Sequence, residues 1–183
     1  MNLDLYNDDF FKWHYDHVHG VSAEVGNHFA AEHKFNSVVD YGCGIGSYLW
    51  GIYEQGIKIK GYEISEDARI YTPEVIQPYI EYKDFLTIEQ QRYDVCLCIE
   101  VAEHIDSDKS ERLVDVLCES SDYIIFSAAP LGQEGTGHIN CQPREFWIKL
   151  FKKKGFKLTG TKLKSWERAP DYVIKNLMIY EKL

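Results

Sequence analysis

Short apolar runs alternate along this chain with stretches in which apolar residues recur at helical spacing. The apolar runs predict strands at residues 38–41, 57–63, 93–99 and 123–126. Helices are predicted at residues 48–55, after a Ser107 cap, and between Pro143 and Gly155. Strands that alternate with helices favour the α/β class, with a doubly wound, mostly parallel sheet covered by helices on both faces.

The end of the chain breaks this alternation. Residues 156–163 and 173–180 are both typical of strands, and the segment between them is too short for a crossover helix. Antiparallel neighbours need no such crossover. We therefore expect an antiparallel C-terminal strand pair at one edge of the sheet.

The beginning of the chain is rich in aromatic and histidine side chains up to Gly20, which is unusual for an exposed terminus. Ser22 can cap a helix that carries Val25 and Phe29. We expect one domain over residues 1–183. In it, residues 1–35 form a helical leader over the active site and residues 36–183 form the cofactor-binding core.

Composition narrows the partners and the compartment. The chain has 20 Lys and Arg against 29 Asp and Glu, a net charge of -9, which disfavours a nucleic-acid partner. No apolar run reaches the roughly 20 residues of a membrane span, and the first residues lack the features of a signal peptide. The five cysteines include Cys96 and Cys98 inside an apolar run, so we expect reduced thiols and a cytoplasmic protein.

A glycine-rich loop follows the first predicted strand. It contains Gly42, Gly44 and Gly46 in a G-x-G-x-G spacing, and it begins beside Asp40. Glycine lets the backbone turn sharply and approach a ligand. The dinucleotide fingerprint needs Gly or Ala where this chain has Ser47, so a nicotinamide-dependent oxidoreductase is the weaker interpretation.

Acidic residues at the next two strand ends favour a nucleoside ligand. Glu63 ends the second strand about 20 residues after the first glycine, where a carboxylate reaches ribose hydroxyls. Asp84 follows a short apolar run, and its neighbour Phe85 can lie against an adenine ring.

These segments resemble the class I S-adenosylmethionine-dependent methyltransferases: residues 38–46 their first motif, 61–64 their ribose-binding strand end, and 84–85 their adenine-contacting segment. The resemblance implies a Rossmann-like seven-stranded sheet and S-adenosylmethionine as cofactor. The residues that it places at the cofactor are Asp40, Tyr41, Gly42, Cys43, Gly44, Gly46, Glu63, Ile64, Asp84, Phe85 and Glu100.

A closer subgroup is suggested by residues 10–14 and by residues 126–130 running into 132–140. Together with Trp147 and residues 176–177, they look like small methyltransferases associated with bacterial and viral glycan synthesis. This resemblance implies a sugar or glycan precursor as acceptor.

A sugar hydroxyl is a poor nucleophile, so its methylation needs a general base or a metal ion. Glu100, Glu103 and His104 follow one strand, and His138 follows the next. The four residues can ligate Mg²⁺ or Mn²⁺, as the similar E-x-x-E-H runs of the plant small-RNA 2′-O-methyltransferase and of ubiquinone-biosynthesis O-methyltransferases do. Alternatively, His104 or His138 is a metal-free base beside Glu103. His14, in the leader, is predicted to line the acceptor pocket together with His138.

Three alternatives stay open at this point. One is a methyltransferase that acts on a small metabolite or an RNA end. The others are a nicotinamide-type oxidoreductase and a binding module that keeps the cofactor fold without turnover.

Overall fold

A seven-stranded sheet forms the centre of the molecule, which the computed structural model describes over residues 2–183. The strands are β1 (Ser37–Tyr41), β2 (Lys58–Glu63), β3 (Ile80–Tyr82), β4 (Val95–Ile99), β5 (Tyr123–Ser127), β6 (Phe156–Gly160) and β7 (Met178–Lys182). Their order across the sheet is β3-β2-β1-β4-β5-β7-β6. All neighbours are parallel except β7, which is antiparallel to both β5 and β6. The expected mostly parallel sheet with an antiparallel C-terminal pair is confirmed.

Helices cover both faces of this sheet. They are α1 (Asp8–His17), α2 (His19–Glu32), α3 (Ser47–Tyr53), α4 (Ser110–Ser120), α5 (Arg144–Lys153) and α6 (Asp171–Asn176). Successive strand residues point to opposite faces, so β1 contributes to two separate cores. Val38 lies in the core that contains Leu49 of α3, and Val39 in the core that contains Leu113 of α4 and Trp147 of α5.

Two glycines bring α2 against α3. A side chain at Gly26 would collide with the carbonyl of Tyr48, and one at Gly51 would collide with the carbonyl of Ala23. Only glycine permits this close crossing of the two helices. The contact joins the N-terminal helices to α3, which begins directly after the glycine-rich loop.

The predicted strand at residues 173–180 is wrong in its first half. Residues Asp171–Asn176 form α6, and β7 begins only at Met178. Val173 and Leu177 are both buried, and their spacing of four residues is that of one helix face. The first apolar positions of the run therefore reflect the packing of α6, and only those from Met178 onward belong to a strand.

Two predicted helix caps are also wrong. Residues Ser107–Lys109 form a 3₁₀ turn, and α4 begins after it at Ser110. Ser22 lies inside α2, which begins at His19. In both places the helical structure extends across the serine.

Strand order places β1 beside β4, so the direction in which the chain winds across the sheet reverses between them. Ligands of open α/β sheets bind beyond the carboxyl ends of the strands at such a reversal. Across residues 2–183, the helices are all too short or too polar to cross a bilayer.

Candidate active site

A cavity of about 940 Å³ lies at the carboxyl ends of β1, β2 and β4. The predicted cofactor residues that line it are Asp40, Gly42, Cys43, Gly44, Glu63, Ile64, Asp84, Phe85 and Glu100. The predicted acceptor-side residues that line it are His14, Glu103, His104 and His138. Two distant parts of the sequence, the leader and the segment after β5, thus meet the strand ends in one cavity.

Tyr41 and Gly46 do not line this cavity. The Tyr41 ring stacks on Tyr62 with centroids 5.4 Å apart, and its Oη is 2.6 Å from Ser120 Oγ in the core. Tyr41 lies on the same face of β1 as Val39, so its side chain faces the α4 side of the sheet. Gly46, at φ +75°, directly precedes α3 and lies against Ile76 and Ile80. The structure thus places these two predicted cofactor residues outside the lining of the cavity.

The glycine loop has a backbone that only glycine adopts readily. Gly42 and Gly44 have φ of +73° and +55°. A side chain at Gly42 would also collide with Val101, which follows β4. The loop can therefore lie close to the next strand end. Its backbone N–H groups bond within the fold, those of Gly42 and Cys43 to the Tyr62 carbonyl oxygen.

Glu63 holds this loop through its carboxylate. Its oxygens accept hydrogen bonds from the backbone N–H groups of Gly44 (2.9 Å), Ile64 (2.8 Å) and Ser65 (3.0 Å). Burial raises the pKa of Glu63, and these three bonds oppose that rise. The carboxylate is thus fixed in place before any ligand binds.

Asp40 lies deeper, at the end of β1, and is 2% exposed. Burial, and then the negative charge of Glu63, raise its pKa to about 8. A ligand that carries positive charge would stabilise the ionised form of Asp40. The sulfonium and ammonium groups of S-adenosylmethionine have that charge.

Asp84 and Phe85 form the wall at the end of β3. Asp84 Oδ1 accepts a hydrogen bond from the Leu86 N–H (2.9 Å), which caps a short 3₁₀ turn. Phe85 packs against Tyr41 with centroids 5.1 Å apart. The turn therefore presents an aromatic ring and a carboxylate to the cavity together.

Glu100 has φ of +54°, the only non-glycine residue of 2–183 in the left-handed region. Such backbone conformations are costly and cluster at functional sites. Its carboxylate accepts hydrogen bonds from Asn176 Nδ2 at 3.1 and 3.2 Å, and the same nitrogen donates to Gln133 Oε1 at 3.1 Å. Asn176 thereby links the turn after β4 to the segment after β5, a link that sequence reasoning did not identify.

Glu103 is fully buried. Its Oε1 accepts a hydrogen bond from the Ala129 N–H (3.2 Å), and its carboxyl group shares a hydrogen bond with that of Glu100. Burial, and then the charge of Glu100, raise the pKa of Glu103 to about 9. Glu103 therefore carries a proton at neutral pH, and the two neighbouring carboxyl groups share it.

His104 and His138 face each other with ring centroids 5.1 Å apart. His104 Nδ1 lies 3.2 Å from the carbonyl oxygen of Gly137, and His138 Nδ1 lies 3.0 Å from that of Gln133. A nitrogen that faces a carbonyl oxygen must carry the proton, so each ring keeps an Nε2 lone pair for another partner. Burial lowers the pKa of His104 to about 4, which keeps this ring neutral.

A metal ion fits three of the four predicted ligands. One ligand atom each of Glu103, His104 and His138 lie within 4.8 Å of one another. Metal-bound histidines commonly donate their second N–H to a backbone carbonyl, as both rings do here. Glu100 is outside this group, because Asn176 holds its carboxylate. The structure therefore brings three of the four predicted ligands together and leaves Glu100 apart from them.

Two leader residues lie on the acceptor side. His14 lines the cavity, stacks near Phe10 and places its Nδ1 2.9 Å from the Phe10 carbonyl oxygen. Tyr6 also lines the cavity and contacts the edge of His104, with centroids 5.5 Å apart. Sequence reasoning missed Tyr6, since a lone tyrosine before a helix has no motif that indicates a site.

Comparison with known proteins gives a family and a fold. The family model described as a methyltransferase domain matches residues 13–160. No curated protein matches the chain. Among solved structures, the chain is similar to magnesium protoporphyrin IX methyltransferase from Synechocystis with bound S-adenosylhomocysteine. The TM-score is 0.69 and the identity 19%, over 90% of this chain and 82% of that one.

Two further similarities concern other acceptors. The sugar N-methyltransferase KedS8 from Streptoalloteichus has a TM-score of 0.71 and 14% identity, over 95% of this chain and 92% of that one. The small RNA methyltransferase HEN1 has a TM-score of 0.67 and 17% identity, over 90% of this chain and 25% of that one. These similarities show a shared fold. With a family match across most of its length, the chain belongs to the methyltransferase-domain family and is a class I S-adenosylmethionine-dependent methyltransferase.

Proposed function

We propose that this enzyme transfers the methyl group of S-adenosylmethionine to a hydroxyl of a sugar or glycan precursor. The observation that carries the proposal is the pair His104 and His138. Both rings have Nδ1 on a backbone carbonyl and Nε2 free, beside the buried carboxyl of Glu103. A nucleophile that must lose a proton, as a hydroxyl must, requires such groups. An amine needs less help.

The cofactor half of the proposal places S-adenosylmethionine along the glycine loop. Glu63 would take the ribose hydroxyls, and Asp84 with Phe85 the adenine. Buried Asp40 and half-buried Glu100, both carboxyl groups at strand ends, would face the positively charged methionine part. The acceptor then approaches from the side of His104 and His138.

In the reaction, the acceptor oxygen forms a bond to the methyl carbon while the carbon–sulfur bond breaks. The electron pair of that bond goes to sulfur, which becomes the neutral thioether of S-adenosylhomocysteine. The proton of the hydroxyl passes to a neutral imidazole Nε2, that of His104 or His138. Glu103 lies beside them and packs against the imidazole that takes the proton.

The lining of the cavity supports a sugar more than an RNA end. Its acceptor side combines the polar side chains of Gln133, Glu134 and Thr136 with the aromatic rings of Phe10 and Trp13. Sugars are bound by such mixtures of hydrogen bonds and ring faces. Lys109 is the one Lys or Arg along the lining in residues 2–183, and Asp106 pairs with it at 3.2 Å. The cavity therefore offers little positive charge to the phosphate groups of an RNA end.

A divalent-metal site is a second candidate for activating the hydroxyl. Glu103, His104 and His138 would hold the ion, and a mixed oxygen and imidazole set suits Mg²⁺ or Mn²⁺. When bound, such an ion lowers the pKa of the hydroxyl and stabilises the alkoxide. The three side chains would then orient the acceptor through the ion.

A labelled-methyl assay tests the acceptor class. The purified protein is incubated with methyl-labelled S-adenosylmethionine and a panel of sugars, nucleotide sugars, RNA ends and small phenols. We expect the most product from saccharides, with the label on oxygen. Faster labelling of RNA or of phenols contradicts the proposal, and cofactor binding without any product would indicate a binding module.

The metal candidate is tested by binding and by activity. Titration calorimetry with Mn²⁺ on the wild type and on His138→Ala measures the site directly. Binding that the substitution removes, together with loss of activity in EDTA, supports a metal. Full activity in EDTA and no Mn²⁺ binding leave the imidazoles as the metal-free bases.

Within this proposal the protein works as a single domain over residues 1–183, with residues 1–35 over the acceptor side and residues 36–183 holding the cofactor. We also propose a cytoplasmic location, where reduced cysteines and S-adenosylmethionine are both available.

A further inference from the structure

Tyr6 spans the two sides of the cavity. Its backbone carbonyl accepts a hydrogen bond from Ser65 Oγ (2.7 Å), two residues after Glu63 on the cofactor side. Its ring contacts the edge of His104 on the acceptor side. The phenol is thus held between the expected cofactor and the expected acceptor.

The hydroxyl of Tyr6 is buried without a hydrogen-bond partner among residues 2–183. The side chain as a whole is 8% exposed. Gly137, at φ +72°, approaches the phenol so closely that a side chain there would collide with Oη. A buried hydroxyl that is left unpaired destabilises the fold, so its retention in a cavity indicates a ligand.

The Tyr6 hydroxyl can act on a ligand as a hydrogen-bond donor. A tyrosine phenol ordinarily loses its proton only near pH 10. The phenol therefore keeps its proton at any pH at which the protein works. It needs an acceptor atom on whatever binds.

The imidazole that the Tyr6 ring contacts has the opposite character. His104 Nδ1 faces the Gly137 carbonyl oxygen, so His104 Nε2 is a hydrogen-bond acceptor. A hydroxyl group is both donor and acceptor. One hydroxyl can therefore satisfy the imidazole with its proton and the phenol with a lone pair.

We propose that Tyr6 is the residue that selects an oxygen nucleophile over a nitrogen nucleophile. A hydroxyl oxygen has two lone pairs: one attacks the methyl carbon, and the other accepts the hydrogen bond from Tyr6 Oη. A neutral amine has a single lone pair, which the attack uses. An amine in the same place leaves the phenol proton buried without an acceptor.

This inference rests on the proposed function of the same cavity, because it assumes a hydroxyl acceptor. The bonds made and broken are those of methyl transfer, and Tyr6 neither gains nor loses a proton. Its hydrogen bond positions the acceptor group and determines whether the attacking atom is oxygen or nitrogen.

The test uses matched pairs of acceptors with the full-length protein. Methyl glycosides of glucose, galactose, mannose and rhamnose are each compared with the glycoside in which one hydroxyl is an amino group, and phenol is compared with aniline. For Tyr6→Phe we expect kcat/KM on hydroxyl acceptors to fall roughly tenfold or more, with amine acceptors unchanged or faster. The affinity for S-adenosylhomocysteine should stay the same.

Tyr71→Phe is the matched control. It removes another phenol hydroxyl that contacts the leader, through Asp8 Oδ1 at 2.7 Å, but Tyr71 does not line the cavity. We expect its ratio of hydroxyl to amine methylation to equal that of the wild type. Thermal unfolding should show that Tyr6→Phe folds at least as stably as the wild type, since it loses only an unpaired hydroxyl.

The outcomes separate the two proposals. Equal loss on hydroxyl and amine acceptors, or no loss in Tyr6→Phe, overturns the role of Tyr6 and leaves the proposed function standing. Methylation of phenol but of no sugar overturns the acceptor class, while a changed phenol-to-aniline ratio still supports Tyr6. A wild type that methylates amines faster than their hydroxyl counterparts overturns both.

Discussion

Glu63 and Glu103 are both buried carboxyl groups beside one cavity, yet their surroundings differ. Glu63, on the cofactor side, accepts three backbone N–H groups. Glu103, on the proposed acceptor side, accepts one and shares a hydrogen bond with the carboxyl group of Glu100. Tyr6 Oη, also on the proposed acceptor side, has no hydrogen-bond partner within residues 2–183.

The difference indicates two kinds of site within one cavity. The cofactor side is already organised by its own backbone, so binding there costs little rearrangement. The proposed acceptor side keeps the buried Tyr6 hydroxyl without a hydrogen bond within residues 2–183, and this hydroxyl gains one only when an acceptor binds. The fold is thus less stable than it could be at the side of the cavity that discriminates among acceptors.

The largest effect should come from the imidazoles of the acceptor side. We expect His104→Ala and His138→Ala each to lower kcat about 10²- to 10⁴-fold, because proton removal from the hydroxyl loses its base or metal ligand. The affinity for S-adenosylmethionine, measured by calorimetry, should be unchanged. His28→Ala, at a half-exposed helical position, is the control. If either variant loses cofactor affinity as well, the division into two sides fails.

On the cofactor side, Glu63→Ala should weaken binding of S-adenosylmethionine roughly 100-fold. The substitution removes the expected ribose partner and leaves the N–H groups of Gly44 and Ser65 without their carboxylate. Calorimetric titration measures the dissociation constant, and Glu66→Ala, three residues on and exposed, serves as the control. Unchanged affinity would mean that the glycine loop holds the cofactor without Glu63.

Asp40 should give the cofactor side a pH-dependent stability. Its pKa is about 8 in the folded chain, above its value of 3.8 when unfolded, so between these values the folded state binds more protons. The free energy of unfolding should therefore fall as pH rises from about 4 to 8. In Asp40→Asn, denaturant titrations should give a slope that is shallower by up to about 1.4 kcal/mol per pH unit.

Saturating S-adenosylmethionine should flatten the slope of the wild type in the same way, because its positive charges stabilise ionised Asp40. Asp67→Asn, which changes an exposed acid, should leave the slope as it is. A slope that Asp40→Asn does not alter would assign the pH dependence to Glu63 or Glu103, whose pKa values are also raised.

The smallest effect is expected for Tyr41→Phe. The structure places the Tyr41 hydroxyl in the core, bonded to Ser120 and Gln90, so cofactor affinity should not change. Stability should fall by about 2 kcal/mol for the two lost hydrogen bonds, as measured by chemical unfolding. Loss of cofactor affinity without loss of stability would instead indicate that Tyr41 contacts the cofactor.

The centre of the sheet could be predicted because β1, β4 and β5 are local apolar runs. The exception, residues 173–180, shows the limit of local patterns. Val173 and Leu177 pack at helical spacing, and the strand begins one residue later, at Met178. An apolar run does not by itself state where the backbone changes from helix to strand.

The cofactor side could also be predicted, since a glycine loop and acids at strand ends are fixed by position along the chain. The acceptor side was only partly accessible. Glu103, His104 and His138 belong to short motifs, but Tyr6 and Asn176 reach the cavity through packing between distant segments. No spacing in the sequence encodes those contacts.

The reversal between β1 and β4 has a consequence for how the enzyme opens. A cofactor that touches Asp40 after β1 and Glu100 after β4 bridges the two halves of the sheet. Its binding free energy then opposes separation of either half from the other. In the complex, the backbone amides of both central strands should exchange with solvent deuterium as one cooperative unit. The bound cofactor would then hold the two halves of the sheet together.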